Sequence, residues 1–173
     1  MIRRCMESDL VGIYAIINDA AQAYKGLIPD DRWHEPYMPM EELEDEIRDG
    51  VVFWGLEEDC ELAGVMGIQD RGEVTLMRHA YVRTDRRKRG IGTRLLRHLE
   101  GLTHKPILIG TWAAATWAVR FYEKNGYTSL SRVETERLLR LYWSIPERQI
   151  ATSVVLANAD LNSANQGLHD IVT

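Results

Sequence analysis

The chain has 173 residues, of which 45% are apolar and 27% are charged. This length and composition predict one domain with a sizeable core and exclude disordered and collagen-like classes. No run of 18 apolar residues occurs, so we expect no transmembrane helix. The first residues show no apolar secretory segment, and the cysteines are Cys5 and Cys60. We therefore expect a reduced, cytoplasmic protein without a disulfide framework.

The charge is distributed unevenly along the chain. The formal net charge is −5, yet residues 83–97 carry seven basic side chains against one acid, so the rest of the chain sums to −11. A general nucleic-acid binder spreads positive charge over a face. A short basic segment in an acidic chain is instead typical of a site for a localised anion such as a phosphate group. We expect neither a nucleic acid nor a membrane as partner.

Hydrophobic periodicity predicts the secondary structure of the first half of the chain. A short strand over 1–7 leads to a helix that Ser8 caps and that ends near Gly26. A proline-containing loop then leads to an acidic helix over 41–48, which stops at Gly50. Three strands are predicted next, over 51–56, 62–68 and 74–82.

The second half alternates helices and strands. Its predicted helices cover 91–102, 113–124 and 134–142, and its predicted strands cover 106–111, 127–130 and 150–156. Residues 157–173 are polar and weakly patterned and are predicted to form an appended tail. Clustered strands followed by alternation favour an α/β fold with a mixed sheet covered by helices over a doubly wound one.

A basic glycine turn, Arg87-Lys88-Arg89-Gly90-Ile91-Gly92, lies between a predicted strand and a predicted helix. The first N–H groups of a helix lack intrahelical partners, and glycine lets a phosphate approach them closely. Flanking basic side chains add charge-assisted hydrogen bonds. The turn matches neither a Walker A loop nor a dinucleotide fingerprint. It is predicted to bind a phosphate group, and a solvated turn is the alternative.

Two motifs resemble the GNAT superfamily of acyl-CoA N-acyltransferases. Arg87-x-x-Gly90-x-Gly92 is similar to the pyrophosphate loop of that family, and Tyr81-Val82-Arg83 resembles the end of its fourth strand. Phe121-Tyr122-Glu123-Lys124-Asn125-Gly126-Tyr127 resembles its second signature. The resemblance covers residues 1–156 and implies a mostly antiparallel sheet of six or seven strands. It also implies that strands four and five, 74–82 and 106–111, splay apart to admit a pantetheine arm.

The resemblance implies acetyl-CoA as the donor and assigns residues to it. The backbone N–H groups of Arg89, Gly90, Ile91, Gly92 and Thr93 would hold the pyrophosphate. Arg87 would close the loop beside it, and Lys88 lies in the same loop. Tyr81 precedes Val82 and Arg83, which would hydrogen-bond the pantetheine arm, and an N–H near Val82 would polarise the thioester carbonyl. Ala115 stands where the family often has a pantetheine-binding Asn, which leaves Thr116 or a water as a substitute.

The catalytic candidates are Tyr122, Glu73 and His79. The resemblance implies that Tyr122 is the general acid that protonates, or hydrogen-bonds, the departing thiolate; packing with Phe121 is the alternative. Glu73 and His79 lie on one predicted strand and share a sheet face by parity, so either is a candidate base for the acceptor ammonium. An exposed charge and a core histidine are their structural alternatives. No spacing of His, Cys or carboxylates predicts a metal site.

The acceptor is predicted to be a primary amine. Residues 30–49 carry nine acids against two basic residues, and in the resembling family this region forms the acceptor wall. An acidic wall favours a cationic amine, whereas a solvated helix face explains the same charges. Trp33, Tyr37, Trp112 and Trp117 are candidate pocket or packing residues. A non-catalytic acyl-CoA sensor and a nucleic-acid binder are the rival functions, and a homodimer is left open.

Overall fold

The computed structural model describes residues 1–158, in two compact units whose boundary falls between His104 and Lys105. The predicted tail over 157–173 lies outside the described residues, apart from Ala157, which ends the last strand, and Asn158. Among residues 1–158, no helix combines the length and the hydropathy that crossing a membrane requires.

The first unit contains a four-stranded antiparallel sheet and three helices. Its strands are β1 (Ile2–Arg4), β2 (Val52–Glu58), β3 (Glu61–Asp70) and β4 (Thr75–Val82), and neighbours in the chain pair with each other. Its helices are α1 (Leu10–Ala20), α2 (Met40–Arg48) and α3 (Ile91–Glu100). Short 3₁₀ turns precede and follow α1 and occur again at Asp30–Arg32 and Thr84–Arg86.

The helices of this unit cover both faces of the sheet. Val65 of β3 packs in one core with Ile13 and Ile17 of α1 and with Leu43 of α2. A Cβ placed on the preceding Gly64 would lie 2.7 Å from Ile91 of α3. Because successive residues of a strand face opposite sides, α1 and α3 lie on opposite faces. The α3 stripe of Leu95, Leu96 and Leu99 is fully buried.

The second unit, as far as residue 158, contains three strands and three helices. Its strands are β5 (Ile107–Trp112), β6 (Thr128–Ser129) and β7 (Ser153–Ala157), with β7 antiparallel to both others. Its helices are α4 (Thr116–Lys124), α5 (Arg132–Tyr142) and α6 (Glu147–Thr152). Ser131 caps α5 by accepting a hydrogen bond from the N–H of Glu134.

The predicted α/β class, with a mixed, mostly antiparallel sheet of six to seven strands and flanking helices, is confirmed. The splay between strands four and five stays a prediction. The final strand was predicted too early, because residues 150–152 belong to α6 and the strand begins at Ser153. Pro146 is the extended residue before α6, and Glu147 is the first helical residue. A proline is well tolerated at the start of a helix because it lacks only an N–H that has no intrahelical partner there.

Candidate functional site

The basic glycine turn forms a compact loop between β4 and α3. Thr84–Arg86 makes one 3₁₀ turn, Arg87 is extended, and Lys88 adopts a left-handed conformation at φ 64°. Gly90 is the N-cap of α3 and is also left-handed, at φ 74°. A left-handed residue immediately before a helix is strained for any side chain except glycine, so Gly90 lets the chain enter α3 at this angle.

The N-terminus of α3 carries hydrogen-bond donors without intrahelical partners. The first i to i−4 bond runs from the N–H of Arg94 to the carbonyl of Gly90 at 3.0 Å. The N–H groups of Ile91, Gly92 and Thr93 precede it, and Gly90 has no side chain to cap them. The helix dipole adds partial positive charge at the same point. The predicted phosphate loop therefore has the local geometry that an anion requires.

The backbone at the end of β4 makes two hydrogen bonds within the chain. The N–H of Arg83 donates to the carbonyl of Ala63 at 3.0 Å, and the carbonyl of Arg83 accepts from the N–H of Arg86 at 2.9 Å. The N–H of Arg83 thus already has a partner in β3, whereas its carbonyl oxygen retains a second lone pair, and the contact of Arg83 with a pantetheine arm stays a prediction. Because successive residues of a strand point their N–H groups to opposite sides, the N–H of Val82 points away from β3 and the N–H of Tyr81 points toward it.

A β-bulge interrupts β4 at His79. Arg78 pairs with Gly67 and Tyr81 with Val65, so two residues of β4, His79 and Ala80, stand opposite one residue of β3. His79 has φ 52°, which is unusual for a non-glycine residue and costs about 1–3 kcal/mol. The extra residue breaks the alternation of side chains along β4. Side chains after His79 therefore do not continue the alternation of faces set by the residues before it.

His79 lies in a cluster of charged groups between β4 and α2. Its Nε2 atom is 3.5 Å from Oε2 of Glu46, and its ring stacks on Phe53 with centroids 5.9 Å apart. Arg78 holds Glu46 by two hydrogen bonds, of 2.5 and 2.9 Å. Burial lowers the pKa of His79, and Arg78 lowers it further, whereas Glu46 partly compensates. The imidazole is therefore neutral near pH 7.

The Glu46 carboxylate remains ionised in this cluster. Burial acts to raise its pKa, but His79 and Arg78 together outweigh burial and hold the pKa below its usual value. Sequence reasoning missed Glu46 as a site residue. It is one of nine acids in residues 30–49, and nothing in the local sequence distinguishes it from the others.

Glu73, the second candidate base, lies elsewhere. It belongs to the exposed turn before β4 and not to the strand, so its predicted strand position is wrong. The turn closes through hydrogen bonds between Arg71 and Val74 and between Glu73 and Arg71. The structure thus separates the environments of the two candidates, with His79 mostly buried at the bulge and Glu73 exposed.

A row of aromatic rings runs from Tyr81 to Trp33. Tyr24 meets Tyr81 edge-on at 6.4 Å and Tyr37 at 5.4 Å, and Tyr37 stacks on Trp33 at 5.8 Å. Burial raises the pKa of Tyr24, and a hydrogen bond with Tyr81 partly offsets this. The ammonium of Lys25 lies 5.9 Å from the Trp33 ring and 2.8 Å from a carboxylate oxygen of Glu35. This surface therefore accommodates a primary ammonium.

Tyr122 lies in the second unit, on α4. It is 6% exposed, and its ring contacts Phe121 at 5.0 Å and Tyr127 at 6.0 Å. Ala115, the departure from the family pattern, is the buried N-cap of α4 and supplies no side-chain cap. The acid role of Tyr122 stays a prediction. Within residues 1–158, no group of three or more His, Cys, Asp or Glu side chains is placed to hold a metal.

The sequence and the fold were compared with those of known proteins. Residues 49–129 match the family model of the acetyltransferase (GNAT) domain, a span that includes the bulge, the phosphate loop and Tyr122. The resemblance to the GNAT superfamily recognised in the sequence is confirmed by this match and by the solved structures that share the fold. No curated protein matches the chain in sequence.

Solved structures of GNAT proteins share its fold. The PaiA N-acetyltransferase of Thermoplasma acidophilum, in complex with coenzyme A, is 17% identical with a TM-score of 0.70, over 92% of this chain and 98% of that one. A GNAT-family acetyltransferase of Staphylococcus aureus is 16% identical with a TM-score of 0.67, over 92% and 99%. A ribosomal-protein-alanine N-acetyltransferase of Brucella melitensis is 20% identical with a TM-score of 0.62, over 91% and 97%.

Proposed function

We propose that this protein is an N-acetyltransferase that transfers an acetyl group from acetyl-CoA to a primary amine by direct attack. The observation that carries the proposal is the N-terminus of α3, where the N–H groups of Ile91, Gly92 and Thr93 lie behind a left-handed Gly90 in a strongly basic loop. This segment falls inside the span that matches the acetyltransferase domain. The PaiA N-acetyltransferase with coenzyme A, which shares the fold, supports a CoA-type donor.

The donor binds through its phosphates and its pantetheine arm. The pyrophosphate accepts hydrogen bonds from backbone N–H groups between Arg89 and Thr93, and the side chains of Lys88 and Arg89 add charge-assisted contacts. The backbone of Val82, which points away from β3, pairs with the pantetheine amides. An N–H at or near Val82 polarises the thioester carbonyl and stabilises the oxyanion that forms there.

The reaction needs one proton removed and one supplied. The acceptor ammonium loses a proton, its nitrogen attacks the thioester carbon, and the carbon–sulfur bond breaks to release CoA thiolate. Tyr122 protonates or hydrogen-bonds that sulfur; full transfer from a phenol near pKa 10 to a thiolate near 8.5 is uphill by roughly 2 kcal/mol. No covalent enzyme intermediate is required.

His79 is a better candidate base than Glu73. A neutral imidazole has a lone pair for the proton, and the Glu46 carboxylate 3.5 Å away stabilises the imidazolium that results. His79 also lies at the bulge, two residues before Tyr81, whereas Glu73 is in an exposed turn. A water molecule relays the proton if the amine does not reach the ring directly.

The acceptor is a cationic amine in this proposal. The aromatic row of Trp33, Tyr37, Tyr24 and Tyr81 leads away from the end of β4, and residues 30–49 carry a charge of −7. Aromatic faces and carboxylates both favour ammonium groups, as the seating of Lys25 against Trp33 and Glu35 illustrates.

An acceptor screen tests the activity. Purified protein is mixed with acetyl-CoA and a panel of polyamines, lysine peptides, N-terminal peptides and aminoglycosides, and free thiol is measured. Thiol release that depends on one amine class supports the enzyme. Tight acetyl-CoA binding without release for any amine favours the alternative, a non-catalytic acyl-CoA sensor.

Calorimetry distinguishes the enzyme and the acyl-CoA sensor from a nucleic-acid binder. Saturable binding of acetyl-CoA with little affinity for duplex DNA is expected, because the basic charge is confined to one short loop. Tight, salt-dependent DNA binding without acetyl-CoA binding would overturn the proposal.

A further inference from the structure

Two hydrogen bonds join the end of α1 to the loop that precedes α3. The backbone N–H of Thr84 donates to Oδ2 of Asp19 at 2.7 Å, and Nη2 of Arg87 donates to the carbonyl of Ala20 at 3.2 Å. The partners are 65 and 67 residues apart in the chain, so the contacts are tertiary. We propose that Asp19 is a positioning residue that holds the phosphate loop in its binding conformation; this inference rests on the proposed donor site.

Each of the two segments supplies a hydrogen-bond partner to the helix end of the other. Thr84 is the first residue of a 3₁₀ turn, and the residue before it, Arg83, supplies no side-chain cap. The Asp19 carboxylate therefore replaces the missing N-cap from another part of the chain. In return, the last turn of α1 has no basic residue of its own, and the Arg87 guanidinium supplies a cation to its terminal carbonyl.

The position of Asp19 is unfavourable for α1 itself. A carboxylate in the last turn of a helix opposes the helix dipole, and Asp19 is exposed and outside the core. The hydrogen bond to Thr84 offsets this cost. An acid placed against local helix preference, with a backbone donor 2.7 Å away, indicates a role in the loop and not in the helix.

The loop has a specific need for such a tether. It holds left-handed residues at Lys88 and Gly90, and its basic side chains repel one another. Without fixed ends it would sample many conformations, and a phosphate would have to order it on binding. The tether orders the loop in advance. It also revises the expected role of Arg87, which fastens the loop to α1 in addition to lying beside the pyrophosphate.

Electrostatics alone predicts the opposite result, which makes the inference testable. Removing an acid near an anion site should tighten acetyl-CoA binding, whereas removing the tether should weaken it. Asp19→Ala removes both the charge and the acceptor, and Asp19→Asn removes the charge but keeps an oxygen acceptor. Asp85→Ala is the matched control, because Asp85 lies in the same turn and pairs with the side chains of Arg83 and Arg86.

The experiment is calorimetric titration of each variant with acetyl-CoA. We expect Asp19→Ala to weaken binding by about three- to tenfold, comparable to the loss of an N-cap. Asp19→Asn and Asp85→Ala should bind as tightly as the parent or more tightly. In steady-state assays, Asp19→Ala should raise the KM for acetyl-CoA and leave kcat at saturation unchanged, a split that general destabilisation does not produce.

Each outcome decides the question. Equal or tighter binding by Asp19→Ala overturns the tether, and so does equal weakening by Asp19→Asn. If melting curves show that the alanine variant does not fold, Asp19→Glu, which keeps the charge but displaces the acceptor, should weaken binding instead. A parent protein that does not bind acetyl-CoA would refute the donor site itself, and the tether proposal would fall with it.

Discussion

The guanidinium of Arg78 and the carboxylate of Glu46 form a two-point ion pair, with Nη1 2.5 Å from Oε2 and Nη2 2.9 Å from Oε1. The pair links β4 to α2, and both side chains are mostly buried, at 11% and 18% exposure. It holds the acid beside His79 and fixes α2, which carries much of the acidic charge, against the strand that leads to the basic glycine turn.

Glu46→Ala should destabilise the protein by about 2–4 kcal/mol, because it leaves the mostly buried Arg78 without a charged partner and with only Gln69 as a side-chain acceptor. For a chain of this size the melting temperature should fall by roughly 5–15 °C. Asp45→Ala on the same helix removes the exposed partner of Arg48 and should cost less than about 1 kcal/mol. Equal losses in the two variants, measured by thermal melting, would show that the buried pair contributes no more than a surface pair.

The free energy of unfolding should decrease as the pH is lowered and His79 becomes protonated. Burial holds the folded-state pKa of His79 below its usual value of 6.5. The unfolded chain therefore binds this proton more tightly, and the contribution of neutral His79 is fully present above about pH 6.5 and decreases as the pH falls toward the folded-state pKa. The slope can reach about 1.4 kcal/mol per pH unit for one proton.

The measurement is urea unfolding between pH 7.5 and 5. We expect His79→Gln to lower stability at pH 7.5 but to flatten the decline below pH 6.5. His34→Gln, which replaces an exposed histidine outside this cluster, is the matched control. A parent curve that is flat over this range would contradict a buried neutral His79.

Tyr122→Phe should lower kcat and leave acetyl-CoA binding nearly unchanged. Loss of a hydrogen-bonding acid at the departing sulfur should cost roughly tenfold to a hundredfold in rate. Tyr127→Phe is the matched control, since Tyr127 is buried and its ring contacts Tyr122. If both variants turn over at the parent rate, Tyr122 has a packing role and another donor serves the thiolate.

Replacing Gly92 should weaken acetyl-CoA binding far more than it lowers the stability of the fold. Gly92 is the second residue of α3, and a valine or glutamate there adds bulk or repulsion where the pyrophosphate meets the helix N-terminus. Each lost charge-assisted hydrogen bond costs about 1.5–3 kcal/mol, or roughly tenfold to a hundredfold in affinity.

Gly92→Ala separates the two effects. Alanine favours the helix by up to about 1 kcal/mol, so the melting temperature without ligand should hold or rise while affinity falls. Titration and melting are measured on the same samples. Undiminished affinity in Gly92→Glu would remove this loop as the phosphate site.

The two cysteines should react at very different rates with a thiol reagent. Burial, with a smaller contribution from Asp9, raises the pKa of Cys5 to about 11, whereas Cys60 is exposed in the turn between β2 and β3. At pH 8 the raised pKa leaves Cys5 about a hundredfold less thiolate than an ordinary cysteine. We expect one fast and one slow phase, and Cys60→Ser should abolish the fast one. A fast phase that persists in Cys60→Ser would assign it to Cys5.

Local patterns in the sequence were sufficient for most of the secondary structure and for locating the basic glycine turn between β4 and α3. The strand, the basic run, Gly90 and Gly92, and the apolar stripe of α3 are contiguous, and their chemistry depends on neighbours in the chain. The acidic helix and the motif around Tyr122 are also contiguous in the chain and could be recognised in the same way. Residues 150–152 were misjudged because the run that begins at Ile150 is short and mostly apolar, a pattern that fits either a helix or a strand.

The tertiary structure decided which residues surround the site. Periodicity assumes an unbroken strand, so it placed Glu73 and His79 on one face, whereas Glu73 lies in the turn before β4. The bulge at His79 also shifts the register of every later residue of β4. Glu46 and Asp19 became visible as partners only through contacts 32 to 65 residues away in the chain. Composition and spacing reflect interactions within a few residues, whereas buried ion pairs and tethers between distant segments depend on how the helices pack on the sheet.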